Sequence, residues 1–594
     1  MKSNKKQLAF LIVIFLSISA FSLTVNDSNL NSGNNINLFH NQLPKSSAVL
    51  NTTIIIDDTI PAQNWETRKS EGVCTGSGTA GDPYIISNHL FNITVGGDCL
   101  EIVNSRKHFR VLDCDFITTG LSAAIYLQNN TNGRVQGNHI TNIFGGIVID
   151  NCSQITFTDN NITLCGLSVI VSDSDNLVFN LNLVDQTAFG SGIDIDNCVD
   201  CTFTQNTVTE GVSAGIYLDG SNRITFDDNI IFNNTNGIVG LNSNDTVIEG
   251  NTIGPNSADG ISLSGCLRGN IQNNDVNEND GYGMAILTCN MFTIKLNTLT
   301  HNDFGIFLDS SSTFNVVSKN TANDNTNNGI HAEGCDYNEF RDNICNNNDV
   351  NGIYIVGCDH SLVSGNTAFN NTLTGISLIS EVNMTLLNNI VYNNKESGIL
   401  LNNIDQSVIE GNNAHDNNWD GIRIQNSCRY NIIKGNIARY NNLSGFYLYS
   451  NTDNNLLYEN TASYNTEHGI YLESADDNFI TSNIANSNVM NGIHLLNSAG
   501  NSIMSNTANN NNNGTYLDAS NNNIVFNNIF LGNGVCFNET GSTGNLFENN
   551  ICTSAELPPV PFDPFILGLI IGLVIGFGAL AAVLLIFLLR GRKK

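Results

Sequence analysis

The chain has 594 residues, longer than one ordinary domain needs, and only 13% of them are Asp, Glu, Lys or Arg, yet the formal net charge is −30. That acidic excess argues against a nucleic-acid partner, because binding phosphates takes clustered Lys and Arg. It suits a solvated surface outside the cell, or a site for cations.

Residues 1–22 read as a signal peptide: Lys2, Lys5 and Lys6 form a basic start, Leu8 to Ile18 an apolar run, and Ser19, Ala20 and Ser22 a small-residue cleavage region. An uncleaved anchor is the alternative. Residues 23–50 are polar and Asn/Ser-rich and read as a flexible linker. Residues 51–98 are expected to form the first coil and cap an end whose exposed edge would otherwise invite association.

Residues 99–553 are a repeat. Its clearest element is Gly-Ile-x-Leu or Gly-Ile-x-Ile, as at Gly146-Ile147, Gly215-Ile216, Gly260-Ile261, Gly352-Ile353 and Gly492-Ile493. The spacing is about 23 residues. A second element is apolar-x-apolar-x-x-Asn, as in Ile224-x-Phe226-x-x-Asn229. Its Asn recurs at Asn229, Asn251, Asn274, Asn297, Asn320, Asn343, Asn366, Asn389 and Asn412, within a series running from Asn138 to Asn550. Apolar and polar residues alternating over four or five positions make a strand with one buried face. Such short strands cannot bury that face alone, but repeats stacked in parallel about 4.8 Å apart close a continuous core. Asn tolerates the left-handed backbone of a sharp corner, and its amide can donate to one coil and accept from another. The pattern therefore predicts an all-β parallel β-helix solenoid of about 19–20 coils with an internal Asn ladder. A leucine-rich solenoid fits less well, since the repeats lack a helical segment.

Residues 554–564, with Pro558, Pro559 and Pro561, read as a stiff connector. Residues 565–589 carry no charge, are long enough to span a bilayer, and precede Arg590, Arg592, Lys593 and Lys594. The expected topology is a single-pass membrane protein with the β-helix outside and the 590–594 tail cytoplasmic. Gly568, Gly572 and Gly576 form a doubled G-x-x-x-G pattern on one helical face, which allows close approach of a second copy.

The repeats resemble the NosD-like, pectin-lyase-like superfamily. The run Gly76-Ser77-Gly78-Thr79-Ala80-Gly81-Asp82-Pro83-Tyr84-Ile85-Ile86 resembles the lead-in found ahead of such repeats. The resemblance covers roughly residues 74–553 and implies a right-handed parallel β-helix. It leaves function open, since the architecture hosts polysaccharide lyases, hydrolases, epimerases, adhesins and a copper-site maturation factor.

Six of the 15 cysteines sit six residues after the repeat Gly: Cys152, Cys198, Cys266, Cys289, Cys335 and Cys358. Three readings stay open: stacked buried thiols, disulfides between neighbouring coils (Cys266 with Cys289, Cys335 with Cys358), and metal ligation. Cys74 with Cys99, and Cys536 with Cys552, could staple the two ends. Two residues after the Gly, outward positions carry Tyr217, Tyr447, Tyr471, His494 and Tyr516; four residues after it stand carboxylates such as Asp196 and Asp219. Aromatics beside carboxylates on a flat sheet suit glycan binding, with rings stacked on sugar faces. The bland reading is that aromatics favour strands and acids favour solvent. The leading expectation is recognition or scaffolding of glycans or other surface polymers. A polysaccharide hydrolase or lyase using Asp194, Asp196 and Asp219 is the second reading, although the Gly-His-Gly and Asp-Pro-His-Glu motifs of enzyme branches are absent. Asp196 and Asp219 are also a candidate calcium site. A NosD-like periplasmic copper-site partner is the third reading, without a cluster of Met, His and Cys on one outward face to support it.

Overall fold

Each repeat folds as three short strands because its apolar residues alternate for only three to six positions before Asn, Gly or Asp turns the chain. In the coil that starts at Ala214, the strands are Ala214–Asp219, Thr225–Asp227 and Ile230–Phe232. Equivalent strands of successive coils pair in parallel, so the solenoid has three faces. The first sheet stacks 21 strands, from Ile54–Asp57 to Val535–Thr540, and the second stacks 21, from Tyr84–Ser87 to Leu546–Glu548. The third holds 18, from Ala48–Leu50 to Thr461–Ser463, and continues through single bridges at Ile484 and Thr507 to the pair Ile529–Asn533 and Ile551–Ser554.

This computed structural model describes residues 48–554 except 94–96, 118–121 and 310. The expected signal peptide, most of the linker, the connector beyond residue 554, the 565–589 span with Gly568, Gly572 and Gly576, and the basic tail lie outside the described residues. Among the described residues no helix is long and apolar enough to cross a membrane. The third sheet starts earlier than expected: Ala48–Leu50 pairs with His89–Phe91, inside the segment read as linker.

The core is built from columns of like residues. Phe157, Phe179, Phe203 and Phe226 stack at 4.4, 4.7 and 5.4 Å between centroids. At the N-terminal end, Trp65 of the short helix Trp65–Ser70 is buried, stacks on Tyr84 at 4.8 Å and donates its indole N–H to Ser105 Oγ. The run from Gly76 turns tightly into the Tyr84–Ser87 strand: Gly76 has φ +94°, and a Cβ there would meet the Pro83 carbonyl oxygen at 1.9 Å.

The Asn series forms an unbroken buried ladder between the second and third sheets. Asn320 shows the pattern: its Oδ1 accepts the backbone N–H and the side-chain amide of Asn297, while its Nδ2 donates to the Ile294 carbonyl and to Asn343 Oδ1. Asn229, Asn251, Asn274, Asn343, Asn366, Asn389 and Asn412 repeat these contacts. One expectation is corrected here. The left-handed residue at the corner is the one before the ladder Asn, as at Asp228, Leu296 and Lys319. The Asn stays in ordinary backbone space because its role is to hold its neighbours with its amide, not to make the bend.

A second ladder, from Asn234 through Asn256, Asn279 and Asn302 to Asn533, fills the corner between the third and first sheets. It explains the Gly of the Gly-Ile motif: a Cβ on Gly352 would lie 2.8 Å from the Asn371 amide nitrogen and 2.6 Å from the Gly375 carbonyl oxygen. At the remaining corner a column of small acceptors receives backbone N–H groups: Ser221 from Cys198, Cys266 from Ser243, Cys289 from Cys266, Cys358 from Cys335, and Glu381 from Cys358. Sulfur and hydroxyl oxygen are interchangeable there, which accounts for the Cys offset. Cys266, Cys289, Cys335 and Cys358 are buried free thiols, as are Cys74 and Cys99, while Cys536 and Cys552 are bonded.

Replacing Asn320 by Leu strands the Asn297 amide, the Ile294 carbonyl and the Asn343 side chain. The expected cost is roughly 2–4 kcal/mol of local stability. Hydrogen exchange should show it as lost protection confined to the coils carrying Asn297, Asn320 and Asn343.

Candidate ligand-binding surface

The outward positions of the first sheet bring four of the five predicted ring residues into one stripe. Parallel registry places Tyr447 beside Tyr471, Tyr471 beside His494, and His494 beside Tyr516. The rings stack at 4.8, 4.8 and 4.9 Å with interplanar angles of 5°, 12° and 6°. Arg423 continues the stripe, its guanidinium 4.9 Å from the Tyr447 centroid and 5.8 Å from that of Trp419. Tyr217 lies apart, roughly ten coils or about 48 Å away along the stack.

The stacking corrects the expected mode of sugar contact. Rings about 4.8 Å apart cover one another's faces. What the stripe turns outward is ring edges and polar groups, except at His494, which is expected to face outward but is buried together with its Nε2. Tyr447 and Tyr471 both donate their hydroxyls to Glu473 Oε2, at 2.5 and 3.0 Å. Burial, followed by that carboxylate, holds both phenols above their usual range. Tyr516 donates to Thr540 Oγ1 at 3.2 Å.

Behind the stripe lies His468, which the sequence reading did not single out. Its Nδ1 lies 3.3 Å from the Asn491 backbone N–H and 3.2 Å from its amide, so Nδ1 must accept and the proton sits on Nε2. That Nε2–H then donates to His494 Nδ1 at 3.2 Å, which places the His494 proton on its own Nε2. Burial pushes the two imidazoles down, His468 to about 3 and His494 to about 4. His468 occupies the position just before the repeat Gly, filled elsewhere by Asn328, Asn351, Asp420 and Ser444, which carry their own inter-coil hydrogen bonds. A polar residue before the Gly of every coil from Gly329 to Gly514 was the signal that could have found it.

The second predicted patch is also real as a neighbourhood. Asp194 pairs in register with Tyr217, and Asp196 with Asp219. Burial, then the charges of Asp196 and Asp219, raise Asp194 to about 6; burial and Asp219 raise Asp196. Asp219 Oδ1 accepts the Asn242 amide at 3.3 Å. These side chains stand on a sheet face; a concavity lined by Gly211, Asn234, Pro255 and Asp280 includes none of them. Among the described residues no group of three or more His, Cys, Asp or Glu is placed to hold a metal ion; Asp196 and Asp219 stand as a pair in register.

Two sequence families match the chain: the right handed beta helix region over residues 191–343 and 397–552, and the periplasmic copper-binding protein NosD over residues 79–223 and 314–467. No curated protein matches. Among solved structures, the A-module of the Azotobacter vinelandii mannuronan C-5 epimerase AlgE4 is 14% identical, with 50% of this chain and 89% of that chain covered and a TM-score of 0.33. A double mutant of the periplasmic alginate epimerase AlgG is 15% identical, covering 58% and 75% with a TM-score of 0.31. Pectate lyase Pel9A is 16% identical, covering 41% and 68% with a TM-score of 0.28. Likenesses this distant carry nothing about activity. The donors present do not fit copper: the 13 free thiols are all buried, and His468 and His494 spend their facing nitrogens on each other.

Both patches give pH signatures. The folded His pair refuses protons that the unfolded chain takes up below about 6.5. Stability should therefore fall as pH drops from about 6.5 towards 4, and His468→Asn should flatten that slope in melting curves recorded across this range. Asp194 has the opposite sign. Its raised pKa costs stability as pH rises from 3.8 through about 6, so Asp194→Asn should stabilise by about 2 kcal/mol at pH 7 and by little at pH 4.

Proposed function

We propose that this chain, which belongs to the right-handed β-helix family and carries repeats of the NosD type, recognises a glycan or another surface polymer through the outer face of its first sheet. The observation that supports this reading is the continuous stripe Arg423, Tyr447, Tyr471, His494 and Tyr516, with Glu473 held by two phenol hydroxyls. A stripe repeating every coil suits a linear polymer, whose own repeats can meet a row of equivalent groups. Sugar hydroxyls would pair with Glu473 and the tyrosine hydroxyls along the ring edges. On this reading the chain is exported, and residues 565–589 tether it with the solenoid outside the cell.

A second reading, a polysaccharide-active enzyme, rests on Asp194. A carboxyl raised to about 6 beside further carboxylates is the state a general acid needs. It is the weaker proposal, because these side chains stand on a sheet face and do not line the concavity formed by Gly211, Asn234, Pro255 and Asp280.

Binding of the full-length chain to a panel of neutral and acidic oligosaccharides tests both. Tyr471→Ala should weaken binding roughly tenfold, since one well-placed aromatic anchor contributes about 1–2 kcal/mol. Asp194→Asn should leave binding unchanged. Binding that survives Tyr471→Ala and Tyr447→Ala, or product release abolished by Asp194→Asn, would overturn the recognition reading.

A further inference from the structure

Two of the buried thiols stand closer than packing alone allows. Cys335 Sγ lies 2.9 Å from Cys358 Sγ, and the Cys335 backbone N–H donates to that same sulfur at 3.1 Å. Ordinary non-bonded heavy-atom contacts fall at roughly 3.5–4.0 Å. The two residues follow strands Ile330–Glu333 and Ile353–Val356, which pair in parallel, residue for residue. Equivalent Cα atoms of such neighbours are about 4.8 Å apart, inside the 4.4–6.8 Å range that a disulfide spans. Bond formation needs the sulfurs to close by about 0.9 Å. The chain also carries a disulfide, Cys536–Cys552, as expected of a protein that meets an oxidising environment.

The geometry points to Cys335 and Cys358 as a thiol pair that oxidises to an inter-coil disulfide, a covalent clamp between two adjacent coils of the first sheet. The step is thiol–disulfide exchange with a small disulfide oxidant, RSSR. One cysteine thiolate attacks RSSR, forming a mixed disulfide and releasing the first RSH. The second thiol then displaces the remaining RS group. Two S–H bonds and the oxidant's S–S bond break, one Cys–Cys bond forms, and two RSH leave with the protons. Because both thiols are fully buried, exchange takes place as the coils stack, before the corner closes. The clamp holds the registry of the two strands that display His331 and Tyr354, whose rings meet edge to face at 5.0 Å on the outer face. It is independent of the recognition proposal, which rests on the stripe that begins three strands further along the sheet, at Ile422–Gln425.

The test is disulfide mapping of the full-length chain. Protein refolded from denaturant with oxidised glutathione is denatured again, alkylated without reductant, digested and weighed. The expected result is one linked species joining the Cys335 and Cys358 peptides, two hydrogens lighter than their reduced sum and lost on reduction. Alkylation of both residues while Cys536 and Cys552 are found linked would overturn the proposal. Alkylation of both with no linkage anywhere would overturn it equally, since oxidant was supplied. A second measurement guards against adventitious pairing in the denatured state. The oxidised chain should melt at a higher temperature than Cys335→Ser, and reductant should remove that difference. Equal melting before reduction would mean that the bond does not form in the native stack.

Discussion

An asparagine oxygen that accepts the backbone N–H of the coil before it is the contact on which the molecule depends. At Asn320 the oxygen serves both amides of Asn297, and the nitrogen serves the Ile294 carbonyl and Asn343. A corner turning inward would otherwise bury unpaired backbone groups at every coil, each costing about 1–3 kcal/mol. The ladder removes that cost by letting each coil complete the next. It also makes the coils interdependent, because no coil satisfies its own corners.

Stacking on that ladder imposes a single spacing on everything the solenoid displays. Equivalent residues fall in register, so like meets like: Phe on Phe in the core, Tyr on Tyr and His on the outer face, Asp196 beside Asp219. For apolar rings this is favourable burial. For carboxylates it adds repulsion to the larger effect of burial, and the two together raise Asp194. For surface aromatics it hides the ring faces and leaves edges and hydroxyls to meet a ligand. A solenoid of this kind presents polar, repeating edges, and the proposed polymer recognition follows from that geometry rather than from a cleft.

Buried hydrogen-bonding columns also explain residues that look chemical in isolation. The cysteines after the first-sheet strand occupy an acceptor column shared with Ser221, Ser243 and Ser312. Most of them need no function beyond that acceptance. Glu381 sits in the same column with its Oε2 on the Cys358 amide, and burial pushes its carboxyl up to about 8. Where two acceptors are both sulfur and touch, as at Cys335 and Cys358, the column acquires a chemistry that serine could not give it.

The sequence alone makes the fold class, the coil spacing and one ladder legible, because each depends on a residue type recurring at a strict interval. It also placed Tyr447, Tyr471, His494 and Tyr516 at one outward offset, and that offset proved to be one face. It missed what depends on contacts between columns rather than within them. His468 lies at a different offset from His494, and only the fold of the coil brings its Nε2 to that ring. The second ladder escaped notice because its Asn residues, such as Asn371, matter through the Gly they crowd at the start of the same coil. The left-handed corner residue was misassigned for the same reason: a position filled by Asp228, Leu296 or Lys319 has no residue signature, only a backbone one. Ring faces, tautomers and thiol contacts were decided by the tertiary structure, because they depend on distances between side chains that no spacing along the chain encodes.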